Sequence, residues 1–446
     1  MLKLELSNLS ASRIGNKHGL NLEAEFAAGA GKLDLARDML TSRKHKAEEF
    51  LGWIDIPEDT EAVRQVLRYR EANAWVEDFV VLGIGGSALG TQCVEAALGN
   101  SKVRIHYVDN VEPEPILRLL RTLDATKTLV NVISKSGSTA ETMAAFLVFR
   151  QWLELSHGTD WKKHVVVTTD PAKGILRPYA QAEGLTAFEV PPSVGGRFSV
   201  TCPVGTLPLA FAGVDLENLM AGARRANQTA TAAFAENLPA QTALIHDLLT
   251  KRGKNILVMM PYSTRLRFLP DWFVQLHDES LGKTLDKQGK EVRTGTTAVR
   301  AVGTTDQHAQ VQLFREGPHD KSVLIVRLER PSEDLEIPAV QGLDGLNYLF
   351  GRSFFELLTA EAKATAHALA KAQQANFTIT LEKLDAHNLG WLLQHLMWQT
   401  AYLGELWNIN AFDQPGVELG KEYTYALMGR KGWEKLAEEL RTEGVK

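Results

Sequence analysis

Residues 131–142, NVISKSGSTAET, constrain the fold more than any other stretch of this chain. The approach, Leu129-Val130-Asn131-Val132-Ile133, is a short β-branched run of the kind that fills a buried strand. The exit, 139–150, repeats the apolar residues Met143, Phe146 and Leu147 at helical spacing. Between the two lie the hydroxyls of Ser134, Ser136 and Ser138, then Thr139, with Lys135 and Gly137 interleaved. In an open α/β sheet, ligands collect at the carboxyl ends of strands, where the next helix offers free N–H groups and a positive dipole end. A hydroxyl-rich loop there suits a phosphate that is held rather than transferred. The alternative reading is an ordinary Ser/Thr helix cap.

The same strand-loop-helix pattern recurs on both sides. Phe79-Val80-Val81-Leu82 reads as a strand, followed by GIGGSALG (83–90) and a helix through Ala97. Further strands are expected at 102–108, at 164–168, ending in the helix-start signal Asp170-Pro171, and at 188–190. A second series lies at 255–260, 297–302, 323–328 and 377–381. Such alternation indicates parallel, doubly wound sheets, and 446 residues are too many for one ordinary core. The expected fold is therefore α/β, with two doubly wound parallel-sheet domains at 76–212 and 213–382. A helical segment at 1–75 precedes them and a helical arm at 383–446 follows. In the first of these, Leu33, Leu35, Ala36 and Leu40 are read as one face, and Trp53-Ile54 ahead of Pro57 as a packing point without chemistry.

Composition removes several classes of function. A net charge of −5, with no basic run interleaved with aromatics, gives no field for nucleic acid. No run of about 18 uncharged apolar residues argues for a membrane span. The start, MLKLELSNLSASRIG, lacks the apolar segment of a signal peptide, so a cytoplasmic location is expected. Cys93 and Cys202 have no local metal spacing and read as reduced core residues; with neither HExxH nor paired CxxC, no metal is expected.

Other loops carry candidate chemistry. Gly83, Gly85 and Ala88 satisfy G-x-G-x-x-A, and Asp109 follows 21 residues after Ala88, formally a dinucleotide fingerprint. Against it, Ser87 offers a hydroxyl at the helix mouth, and the second hydroxyl loop after Ile133 can meet the first across one crevice around one phosphate. In PPSVGGRFSVTCPVG (191–205), Gly195-Gly196 permits close backbone approach, and Arg197 is either a fixed guanidinium facing a ligand or a solvated turn residue. In FLPDWFVQLHDES, Phe268, Leu269, Trp272, Phe273 and Leu276 form the apolar stripe, with Gln275 and Glu279 four apart on a flank. Residues 281–296 read as a long Gly- and Lys-rich loop at the same end. His308 reads as a helix-start histidine or a catalyst, and Lys421 as a structural cap or a proton-transfer group.

Six of these stretches, in this order, resemble the glucose-6-phosphate isomerase (phosphoglucose isomerase) family: GIGGSALG, SKSGSTAET, VGGRFSV, WFVQLHDESLGK, GTTDQHAQVQLFREG and FDQPGVELGK. Pro192 and Cys202 depart from the pattern around the arginine, and the chain is shorter than the long animal-type forms. The resemblance implies two sugar-isomerase (SIS-type) domains with an active site between them, and a homodimer with shared active sites. It implies sugar phosphate as the small-molecule partner and no cofactor. By position, Ser87, Ser134, Lys135, Ser136 and Thr139 would hold the phosphate. Glu279 would be the general base, Arg197 the cation facing the enediolate, and His308 and Lys421 the groups assisting ring opening. Gln275 and Gln414 would position the sugar, and the histidine would come from the neighbouring subunit. A rival reading is a non-catalytic sugar-phosphate sensor built from the same domains.

Overall fold

The computed structural model describes residues 2–445. Twelve strands are assigned among them: β1 (Lys3–Glu5), β2 (Asp78–Leu82), β3 (Arg104–Val108), β4 (Thr128–Ile133), β5 (Val165–Thr169), β6 (Thr186–Glu189), β7 (Ile256–Pro261), β8 (Lys283–Leu285), β9 (Glu291–Thr294), β10 (Thr297–Arg300), β11 (Lys321–Leu328) and β12 (Ala375–Leu381). The first sheet runs β3-β2-β4-β5-β6, every pair parallel, with Val81 opposite Asn131. The second runs β1-β12-β11-β7-β10, parallel throughout except that β1 lies antiparallel on β12.

Side-chain alternation explains why both sheets are covered on two faces. Val80, Val130, Val132 and Val167 pack with Phe146 and Phe149 of the helix Ala140–His157. Their neighbours Phe79, Val81, Leu129 and Ile133 turn the other way. In the second sheet, Val258, Val323 and Ile325 pack against Ala362 and Leu369 of the helix Phe354–Lys371. Leu257, Met259, Leu324 and Phe377 join the same large core as Phe79. One continuous apolar core thus lies between the two sheets.

Helices Leu216–Ala230, Leu238–Lys251 and Ala386–Leu406 fill that layer. Glycine sets their closest crossing: a Cβ at Gly390 would stand 2.0 Å from the Leu219 carbonyl oxygen, and one at Gly222 1.8 Å from that of His387. Trp53, fully buried, stacks on Phe198 at 5.3 Å and meets Trp398 edge-on at 5.3 Å, so the N-terminal segment is wedged into the middle of the molecule. Among the described residues no helix is long and apolar enough to cross a membrane.

Several local expectations change. The N-terminal segment is not only helical: β1 is a strand whose pairing comes from residues far along the chain, with Lys3 bonded to Glu329 at 3.0 Å. Leu35 is 60% exposed because 33, 36 and 40 define the buried face, and Leu147 is likewise 60% exposed. The 281–296 stretch is no loop but the antiparallel hairpin β8–β9. Pro171 starts no helix; Asp170 instead accepts the N–H groups of Ala172 and Lys173 at 2.9 and 2.8 Å in a bend, and the helix begins at Leu176. Phe268, read into the apolar stripe, is 37% exposed at the helix entry.

Candidate active site

In chain order, the first sheet's strands stand 2-1-3-4-5, which puts the reversal of winding between β2 and β4. A cleft of about 600 Å³ opens there, lined by Ser87 from the β2 loop, by Ser134, Lys135, Ser136 and Thr139 from the β4 loop, and by Gln414. Thr139 Oγ1 lies 3.0 Å from Ser134 Oγ and 3.4 Å from Ser136 Oγ. The Thr139 hydroxyl therefore does not cap the helix Ala140–His157, and the first-turn N–H groups stay open to an anion. Lys135 donates to the carbonyls of Pro192 and Val194 at 2.7 and 2.8 Å, with its ammonium 4.9 Å above the Phe50 ring. Burial holds the Lys135 pKa below the usual lysine value.

The arginine loop touches the glycine loop directly. A Cβ at Gly86 would stand 2.3 Å from the Gly196 carbonyl carbon, so only glycine admits this approach. Arg197 follows in the turn Gly196–Phe198 and is only 3% exposed. Its Nε donates to Ser280 Oγ at 2.6 Å, Nη1 to Gln414 Oε1 at 3.1 Å, and Nη2 to the carbonyls of Ala411 and Asp413 at 2.6 and 3.1 Å. Burial lowers its pKa while Glu279 and Asp413 oppose the shift; a guanidinium stays charged regardless. This arginine is not a solvated turn residue.

The helix Leu269–Leu281 brings the remaining groups. Glu279 Oε2 lies 3.7 Å from Arg197 Nη1, with the carboxylate side chain 23% exposed. Gln275 sits beside Gly85, where a Cβ would meet its Nε2 at 3.0 Å, and its Oε1 is buried without a hydrogen-bond partner. Asp278 accepts the Ala298 N–H at 2.9 Å and His277 shares a 2.7 Å bond with the Thr296 hydroxyl, which pins this turn to the start of β10. The hydroxyl-rich cleft thus adjoins a carboxylate–guanidinium pair through Gln414, which lines the cleft and accepts from Arg197; Arg197, Glu279 and Gln275 lie behind that lining. That arrangement can hold a dianion at one point while a base and a fixed cation face the same substrate at another.

His308 and Lys421 lie elsewhere. His308 is exposed at the end of the turn Thr305–His308, and Lys421 is exposed on the helix Glu418–Leu427, paired with Glu418 at 2.8 Å. Neither lines the cleft of this chain among the described residues. Conversely, the cleft includes Phe50, Asp170 and Lys173, none of which is expected at a site from the sequence. Phe50 carries no sequence signal; its φ of 54° is a left-handed backbone that an aromatic residue rarely adopts.

Comparison with known proteins agrees with this geometry. A family model described as Phosphoglucose isomerase matches residues 58–434. A glucose-6-phosphate isomerase of Thermus thermophilus is 60% identical over 392 residues, covering 88% of this chain and 93% of that protein. That of Carboxydothermus hydrogenoformans is 40% identical, covering 98% of this chain and 97% of the relative. Among solved structures, a hypothetical protein from Thermus thermophilus superposes with a TM-score of 0.91 at 56% identity, covering 96% of this chain and 100% of its own. The glucose-6-phosphate isomerase of Chlamydia trachomatis superposes with a TM-score of 0.82 at 25% identity, covering 95% and 89%. With strand order, crevice and sequence in agreement over most of its length, the chain belongs to the phosphoglucose isomerase family.

Proposed function

We propose that this protein interconverts glucose 6-phosphate and fructose 6-phosphate, as a step of glycolysis and gluconeogenesis, by ring opening and proton transfer through a cis-enediolate. The observation that carries the reading is the Glu279–Arg197 pair, 3.7 Å apart, joined through Gln414 to the hydroxyl-lined crevice at the switch point of the first sheet. Ser87, Ser134, Ser136 and Thr139, with Lys135, bind the unreacting phosphate, whose binding energy holds the sugar in register. Glu279 takes the C2 proton and returns it to C1; one carboxylate serves both steps if water is kept out. Arg197, fixed by four hydrogen bonds, meets the charge that builds on oxygen as the enediolate forms. Gln275 and Gln414 orient the open chain. The proton moves within the substrate, so the step needs no redox partner.

His308 and Lys421 act in ring opening, and their exposed positions favour a homodimer in which the partner subunit's His308 completes each cleft. The helix Glu418–Leu427 also exposes Leu419 at 54% and Leu427 at 47%, with Met428 just beyond it at 81%, apolar surface available to a second copy. The composition and the absence of a membrane-crossing helix among the described residues fit a cytoplasmic site of action. A coupled assay tests the reading: purified protein with fructose 6-phosphate should yield glucose 6-phosphate, followed by a separate dehydrogenase, with or without chelator. Binding of sugar phosphate without turnover would overturn it. Mixing the inactive variants Glu279→Gln and His308→Ala should restore activity if sites are shared, and restore none if each chain acts alone.

A further inference from the structure

The hairpin β8–β9 carries a lysine whose placement is costly for a surface strap. Lys283, in the first strand of that hairpin, is 8% exposed, and its ammonium is buried near the Arg197 guanidinium. It donates to the Glu279 carbonyl at 2.8 Å and to the Asp413 carbonyl at 2.9 Å, with Asp413 Oδ1 3.5 Å away. The Glu279 carbonyl belongs to the last turn of its helix, where carbonyls lack an intrahelical partner. Asp413 is also the residue whose carbonyl Arg197 Nη2 reaches, and its neighbour Gln414 accepts from Arg197 Nη1. One ammonium therefore joins the backbone of the carboxylate-bearing helix to the segment that holds the arginine and the glutamine. The far end of the hairpin is bolted to the same part of the chain: Lys287 Nζ pairs with Glu405 at 2.7 Å, and the Lys287 N–H donates to the Asn408 carbonyl at 2.9 Å.

A helix-capping lysine gains its bond equally well at the surface, with its head in water. Burying the head beside a second cation works against stability: burial and the Arg197 charge favour the neutral amine, and Asp413 and Glu279 offset them only in part. The arrangement makes sense where relative position matters more than stability. We propose that Lys283 is a positioning residue, whose buried ammonium fixes Glu279, Arg197 and Gln414 in one mutual geometry. The inference rests on the isomerase reading above. A carboxylate that must collect a proton from one carbon and deliver it to the next tolerates little displacement, and about 1 Å is worth on the order of 10²-fold in rate.

Lys283→Met, which removes the donor and the charge at similar length, tests this. The expected result is a folded protein whose kcat falls on the order of 10²-fold while KM for glucose 6-phosphate changes by less than about threefold. A second readout separates positioning from packing: with substrate deuterated at C2, the variant should transfer less label to C1 and lose more to solvent than the unaltered protein. If Lys283→Met does not accumulate folded, Lys283→Gln, which keeps an amide donor but not the charge, is read in the same way. Unaltered kcat and label transfer in a folded variant would overturn the proposal, as would a loss of activity that only tracks the unfolded fraction. Absence of turnover in the unaltered protein would instead refute the isomerase reading.

Discussion

The two sheets share one winding and differ in what fills it. Taken in chain order, β10-β7-β11-β12 repeats the 2-1-3-4 order of β3-β2-β4-β5, so each sheet has a reversal point between its first and third strands. In the first, the strands end in glycine and hydroxyl loops and the crevice stands open. In the second, β7 ends in Pro261-Tyr262, and Tyr262, 2% exposed, donates its hydroxyl to Gln307 Oε1 at 2.6 Å. Thr365 donates to the same oxygen at 3.0 Å, and the Tyr262 ring presses so closely on Gly303 that a Cβ there would stand 2.6 Å away. Burial raises the Tyr262 pKa to about 12, so the phenol stays a neutral donor. Topology supplies the reversal twice. In the second half the Tyr262 side chain fills the space beyond β7, while a cleft of about 710 Å³ opens instead beside the end of β11, lined by Arg327, Glu329 and Tyr348. The second half still contributes to the first, because the helix after β7 carries Gln275, Glu279 and Ser280 toward it.

The sharpest way to break this division is Glu279→Gln. If the second half supplies the base, kcat should fall about 10²–10⁴-fold with circular dichroism unchanged. Near-normal turnover would move the base elsewhere. Tyr262→Ala addresses the closed crevice: loss of a buried ring should lower stability by about 3–5 kcal/mol in urea titration, with kcat per folded molecule retained. A loss of kcat without a loss of stability would give the second crevice a part in the reaction.

Acid should also separate the halves. His246, His277 and His395 are buried in the helical layer between the sheets, His246 against Phe377 of β12, and burial lowers their pKa values to about 3, 4 and 3 from 6.5. The unfolded chain then binds more protons than the folded one below pH 6.5, so stability falls as pH drops from 6.5 toward about 3. Hydrogen exchange at pH 5 should loosen Leu238–Lys251 and Ala386–Leu406 before β2 and β4; uniform loosening would contradict the contrast. Ser134→Ala should raise KM about tenfold, the worth of a hydrogen bond to a charged group, with kcat and stability little changed. Leu147→Gln, on an exposed helix face of the first half, should shift stability by no more than about 0.5 kcal/mol in the same titration.

Local pattern made some of this legible in the sequence and hid the rest. The β4 loop was readable because a β-branched run, a hydroxyl cluster and a helix follow one another within 131–142. Glu279 and Arg197 were individually ambiguous, and the family resemblance gave them roles that spacing alone did not. Phe50 was invisible because it reaches the cleft from a segment with no periodic signal and lies 85 residues before Lys135, under whose ammonium its ring sits. The hairpin β8–β9 read as a loop because its strands are short and its lysines Lys283 and Lys287 find partners in the distant 404–414 segment. Tyr262 gave no hint of plugging a crevice, since its partners Gln307 and Thr365 come from two later elements.

The antiparallel edge strand β1 has a consequence for how the molecule is made. Lys3 pairs opposite Thr380 and Glu5 opposite Thr378, so these residues leave the ribosome long before the partners they await. The first sheet draws all its strands from 78–189 and can close while translation continues. The second cannot be sealed until β12 has appeared, and until then the edge of β11 that β12 will take offers unpaired backbone to any passing strand. An amino-terminal fusion that hinders β1 from docking should therefore leave the first sheet intact and leave the outer edge of β12 open to mispairing.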